Sequence, residues 1–110
     1  MPPFSVLRRK ADFDAIGRRG TVRTTRLLVL RSLRTERPET RIGLSTPRAL
    51  GGAVQRNRVR RRLRELIREQ LDVIGSGWDL LLIARPEAAA ASHTELRDAV
   101  RSLLGAVEDR

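Results

Sequence analysis

Arg56-Asn57-Arg58-Val59-Arg60-Arg61-Arg62-Leu63-Arg64 holds six arginines in nine residues, yet an apolar rhythm runs through it. Extend the stretch to Ala53–Leu71 and place it on a wheel at about 100° per residue. Val59, Leu63, Leu66 and Ile67 fall on one face, with Leu71 at its margin. That is the i, i+4, i+7, i+8 spacing of a core-facing helix. A disordered basic tail would have no apolar rhythm, and an ordinary surface helix would have no such charge density. The segment reads as a helix folded into a core on one side and offered to a polyanion on the other.

The remaining surface of this helix divides in two. Asn57, Arg61, Arg64 and Arg68 line one flank with no acid among them, and Arg60 sits at its edge nearest the core. Arg58 and Arg62 share the other flank with Glu65 and Glu69, which largely cancel them. Arg56 falls in the first turn, nearer the apolar side. Uncompensated charges along one flank repel each other unless an anion is present, so the net basic flank points to RNA or DNA.

Outward from the helix, Gly51-Gly52 is a turn before it and Gly75-Ser76-Gly77 a break after it. Asp79–Ala84 is a continuous apolar run, the pattern of a strand covered on both faces. Arg85–Ala91 is a loop. Ser92 with Glu95 forms a capping box, and Leu96, Ala99, Val100, Leu103 and Leu104 give the following helix its buried stripe as far as Gly105. Towards the N-terminus, Arg41–Ser45 is a strand with Ile42 and Leu44 inward, and Pro47 ends it or sits at its edge. Arg34–Thr40 is a loop. Thr21–Leu33 reads as a short strand and then a longer one. Asp12 is placed as the cap of a short helix through Ala15 and Ile16, stopped by Gly20 at C′. The order helix, strands, helix, strand, helix predicts an α/β fold: an α+β two-layer sandwich on a small central sheet, in one domain spanning residues 1–110.

The formal net charge is +10 and the pI about 11.8; a domain pI above about 9 is the electrostatic sign of nucleic-acid binding. Lys10 is the only lysine, so the charge is nearly all arginine, whose planar fork grips phosphate. A genome biased towards arginine would explain the choice over lysine but not the net charge. With no cysteine there is no disulfide framework and no thiolate metal site. Leu27–Leu30 and Leu80–Ala84 are far too short to span a bilayer, and the start lacks a signal peptide's apolar stretch. The expectation is a cytoplasmic protein with no membrane partner.

Ala53-Val54-Gln55-Arg56-Asn57-Arg58-Val59-Arg60-Arg61, followed by Leu63-Arg64-Glu65 and preceded by Gly51-Gly52, resembles the signature of the bacterial ribonuclease P protein subunit. The context agrees in order: Arg9-Lys10-Ala11-Asp12-Phe13, Gly20, Arg41-Ile42-Gly43-Leu44-Ser45, and Asp79 to Arg85. The resemblance covers Phe4 to Val107. It implies a catalytic ribonuclease P RNA and precursor tRNA as partners, with no DNA, and endonucleolytic removal of the 5′ leader. It also implies that the RNA carries the Mg²⁺ chemistry, that the protein holds no cofactor of its own, and that an unusual left-handed crossover surrounds the central helix. The RNA-binding residues implied are Arg48, Arg56, Asn57, Arg58, Arg60, Arg61, Arg64 and Arg68. A cleft between the sheet and the first helix would hold the single-stranded leader, with Phe13, Arg9, Lys10 and Arg31 as its residues.

A noncatalytic protein fits the residues. His93, the only histidine, sits near a helix start and reads as a surface residue. Asp12, Asp14, Asp79 and Glu65 are scattered, without paired-carboxylate or metal-ligand spacing. Two departures from the family stand out. Thr46-Pro47-Arg48 replaces the family's Ser-Lys-Lys, and Pro47 lacks a backbone donor. The aromatics are only Phe4, Phe13 and Trp78, with Gly17 and Arg31 standing where the family often has aromatic residues. Phe13 reads equally as a core residue, and Trp78 as packing. Arg31 is then expected to stack on the leader or pair with its phosphate in place of an aromatic. The competing functions are a small ribosomal or RNA-chaperone protein, a DNA-binding regulator and a stand-alone nuclease. The regulator lacks a helix-turn-helix partner for Arg56–Arg64, and the nuclease lacks clustered ligands.

Overall fold

The computed structural model describes residues 4–107. The elements are β1 (Ser5–Val6), α1 (Lys10–Arg19), β2 (Thr21–Thr24), β3 (Leu28–Arg34), β4 (Arg41–Ser45), α2 (Ala53–Glu69), α3 (Leu71–Ile74), β5 (Trp78–Ala84) and α4 (His93–Gly105). Short 3₁₀ turns at Arg48–Leu50 and Pro86–Ala90 lead into α2 and α4. The strands form one mixed sheet in the order β1-β4-β5-β3-β2. β1 and β5 flank β4 in parallel, while β3 pairs antiparallel with both β5 and β2. The mixed α/β architecture is the one the sequence predicts. β1 is absent from the sequence reading, because two residues are too few to show a period of two.

The register sorts the side chains. Ile42, Leu80 and Ser32 lie in one row, Leu44, Leu82 and Leu30 in the next, on one face of the sheet. That face packs on α2 and α4: Leu28, Leu30, Ile42, Leu80 and Leu82 join Val59, Leu63, Leu66, Ile67, Leu96, Val100 and Leu104 in one core cluster. The four α2 residues are the ones the wheel selects, each no more than 2% exposed. Burial of one such side chain contributes about 1.5–3 kcal/mol. Gly52, at the α2 N-cap, supplies no side-chain hydrogen bond, an omission that for glycine costs only about a few tenths of a kcal/mol. Packing, not capping, therefore sets this helix in place.

Several local expectations change. Arg9, not Asp12, stands at the N-cap of α1, and Asp12 lies inside the first turn, where its carboxylate meets Arg41 instead. Gly20 ends α1 in an extended conformation, φ −77°, not in a left-handed cap. A Cβ there would lie 2.5 Å from the Ile16 carbonyl oxygen, so close approach selects the glycine. α2 stops at Glu69, and Leu71 opens the separate short α3. β5 is not covered equally on both faces: Leu80 and Leu82 are buried, while Leu81 and Ile83 on the other face are half-buried. α1 packs on that second face against β3 and β5, with Phe13 on Gly43. Trp78 packs against the core, with the Arg34 guanidinium 5.2 Å from its ring centroid. The Ser92–Glu95 capping box forms as read, and His93 is exposed.

Candidate nucleic-acid interface

α2 holds its basic flank outward because its opposite face is locked in the core. Asn57, Arg61 and Arg64 are exposed; Arg60 is half-buried at the core edge. With Val54 they line a shallow concavity of about 460 Å³. Arg60 is the fixed member. Its Nη1 donates to Asn57 Oδ1 at 2.8 Å and its Nη2 to the hydroxyl of the buried Thr46. Arg56 donates from Nε to the Thr46 carbonyl at 3.2 Å, so the first-turn arginine turns back to the β4 end. Arg58 is exposed on the far side. The three residues of Arg56-Asn57-Arg58 thus point three ways. Arg48 lies exposed in the 3₁₀ turn before α2.

The acids of α2 do not pair as the wheel suggests. Glu65 accepts from Arg68 Nη2 at 2.8 Å, and Glu69 sits 3.8 Å from Arg97 of α4. Arg62 donates to the Ala91 carbonyl. Arg68, placed on the acid-free flank by the sequence, is therefore compensated. Arg58, Arg61 and Arg64 have no ion-pair partner among the described residues.

A second surface lies on the sheet face opposite α2. Val22, Arg31, Leu81 and Gly43 form one row across β2, β3, β5 and β4. Gly43 is where α1 touches down: a Cβ there would sit 2.9 Å from Phe13 Cε1, so any side chain would push the phenyl ring off the sheet. Phe13 stands at one end of the row. Arg31, half-buried and without an ion-pair partner among the described residues, stands two strands away, roughly 10 Å at the usual strand spacing. Lys10 and Arg9 are exposed at the start of α1, but Lys10 is paired with Asp14 at 3.1 Å. Phe13 also helps to line a cavity of about 130 Å³ at the β1–β4 edge, with Phe4, Val6, Leu44, Arg60 and Arg64. Arg60 and Arg64 belong to both concavities, so the basic flank and the apolar-walled cleft adjoin.

Asp12 and Asp79, scattered in the sequence, are brought together on Arg41. Arg41 donates to Asp79 through Nε at 3.0 Å and Nη2 at 2.7 Å, and to Asp12 through Nη1 at 3.2 Å. These bonds to Asp79 first, and to Asp12 after the opposing effect of burial, raise the Arg41 pKa further above its ordinary value. The clamp ties α1, β4 and β5 and uses up the carboxylates. A divalent cation therefore does not fit this site. Among the described residues no group of three or more His, Asp or Glu could hold a metal ion.

A small α/β domain with a core-anchored arginine helix and an adjoining cavity at its sheet edge has the build of a polyanion-binding protein. Comparison with known proteins makes this specific. The family model described as ribonuclease P matches residues 1–108. The ribonuclease P protein component of Acidothermus cellulolyticus is 44% identical over 107 residues, covering 96% of this chain and 89% of that protein. That of Desulforapulum autotrophicum is 33% identical over 102 residues, covering 93% and 87%. Among solved structures, the RNase P protein of Thermotoga maritima superposes with a TM-score of 0.85 at 26% identity, over 96% of this chain and 99% of that one. The Staphylococcus aureus RNase P protein gives 0.82 at 27% identity, over 89% and 90%. The chain belongs to the ribonuclease P protein family, as a tRNA-processing protein subunit of the bacterial type.

Proposed function

We propose that this chain is the noncatalytic partner of a catalytic RNA, and that the two together remove the 5′ leader of precursor tRNA. The basic flank of α2 seats on the RNA through Asn57, Arg60, Arg61 and Arg64, with Arg48, Arg56, Arg58 and Arg68 around it. Mg²⁺ belongs to the RNA in this reading, and the site of action is the cytoplasm; no helix among the described residues is long and apolar enough to cross a membrane. The observation that carries the proposal is the set of uncompensated guanidinium groups on a helix whose other face is fixed in the core. Two unit charges about 7 Å apart repel by about 0.6 kcal/mol even in bulk water. Phosphates remove that cost and release counterions.

The sheet cleft is proposed to take the leader. Phe13 offers a ring from α1 beside its floor, and Arg31 offers charge where a second ring would otherwise stack; Arg9 and Lys10 would stand at its entrance. Leader binding should accordingly depend on salt more steeply than stacking would give. One titration series tests both surfaces. Arg64→Ala should weaken binding to a bacterial ribonuclease P RNA and lower the salt slope by about one unit or less, with thermal stability unchanged. Arg31→Ala should do the same for a leader oligonucleotide bound to the assembled particle. An unchanged slope in either arm removes that surface from the proposal.

A further inference from the structure

Val54 is the most exposed large apolar residue described, at 82%, against 50% for Val73 and 46% for Val22. A single exposed valine needs no explanation in general. This one lines the concavity of the basic flank with Asn57, Arg60, Arg61 and Arg64, and lies one turn before Asn57 on the same face. Its position is also a poor one for helix formation, since a β-branched residue gives up rotamer freedom there and an acid would suit the first turn of a helix better. α2 has no acid in that turn.

The polar neighbours define what the valine can meet. Asn57 Oδ1 is taken by Arg60 Nη1, which leaves the Asn57 amide nitrogen as a free donor among the described residues. Arg61 and Arg64 supply unpaired forks about 4.5 Å apart along the helix axis. A regular RNA duplex offers this face only phosphates and ribose hydroxyls, to which an isopropyl group adds nothing. A nucleotide lifted out of its stack offers an apolar base face, an acceptor on the base edge and a phosphate together. The concavity, about 460 Å³, has the volume of a small-ligand site.

We infer that Val54, Asn57 and Arg61 form a subsite for one unpaired nucleotide of the partner RNA, with the base face on Val54, a base acceptor on the Asn57 amide and the phosphate on Arg61. The inference rests on the reading that this flank of α2 meets RNA, and the experiment separates the two. Binding of the full chain to a bacterial ribonuclease P RNA is titrated at several salt concentrations for the wild type, Val54→Ala and Arg61→Ala. Val54→Ala should weaken binding roughly fivefold with an unchanged salt slope, because the lost contact is apolar. Its thermal stability should not fall, since alanine is the better helix former. Arg61→Ala should lower the slope by about one unit or less. In 2′-hydroxyl acylation mapping, one unpaired nucleotide should be protected by the wild type and reactive with Val54→Ala. A second arm with a single-stranded leader oligonucleotide tells whether that nucleotide belongs to the catalytic RNA, as the flank's position outside the sheet cleft implies, or to the leader. Val54→Ala binding like the wild type, while Arg61→Ala binds weakly, overturns the subsite alone. Both variants binding like the wild type would overturn the RNA-facing reading of α2 as well.

Discussion

Arg41 donates to Asp79 on β5 and to Asp12 on α1, with all three side chains largely removed from solvent. Replacing Arg41 by Met would leave two neighbouring carboxylates without a counter-charge, one of them buried. The expected loss is about 3–5 kcal/mol of unfolding free energy, measured by urea titration. Adding Asp79→Asn to that variant should recover part of it; equal stabilities would show that the clamp does not act as a unit. Because the Arg41 pKa is raised, its contribution is lost only at extreme alkaline pH, so the clamp cannot be opened by titrating the arginine. Glu95 behaves in the opposite sense. The Ser92 backbone N–H and hydroxyl hold its carboxyl below its ordinary 4.5. A lowered folded-state value means that the cap is fully present above 4.5 and is lost as pH falls through the lower folded value. Amide exchange at Ser92 and the start of α4 should therefore accelerate below that point, while the α2 core amides stay protected. The capping box was legible in the sequence because its partners lie three residues apart. The Arg41 clamp was not, because its members are separated by 29 and 38 positions and no local pattern links them.

At the scale of the element, α2 carries both the fold and the proposed interface. Its apolar stripe could be read directly, since a helical wheel depends only on spacing, and Val59, Leu63, Leu66 and Ile67 are buried as that spacing requires. The charge pairing was less legible. A wheel assigns side chains to sectors, but long arginine and glutamate side chains reach across sectors, and Arg68 chose Glu65 at i−3. On the proposed reading of this flank, Glu65 is a brake on RNA binding. Glu65→Gln should free Arg68, tighten RNA binding about two- to threefold and steepen the salt slope, with a stability change within about 0.5 kcal/mol. A weaker complex would mean that Arg68 does not face the RNA. The sheet cleft belongs to this scale too. Gly43 on β4 and Phe13 on α1 are separate motifs in the sequence, and only the register shows that the glycine exists to seat the ring.

At the scale of the whole molecule, the core excludes water from one side of the sheet and leaves the other side, with Arg31 and Leu81, partly open. The arginine flank of α2 borders, through Arg60 and Arg64, the small cavity at the β1–β4 edge that Phe13 also lines. Composition announced the polyanion, and the order of motifs announced the family. The hand of the β4–α2–β5 connection is not encoded in periodicity, since either hand buries the same stripe. Which RNA strand lies on which surface is likewise a property of the complex, and the most direct test is made on the complex. The full chain is added to a bacterial ribonuclease P RNA at low Mg²⁺, and release of the 5′ leader from precursor tRNA is followed. The RNA alone should be slow, the protein alone should release no leader, and the two together should cleave rapidly to leave a 5′-phosphate on the tRNA. No acceleration by the protein, or cleavage by the protein without the RNA, would contradict the proposed function.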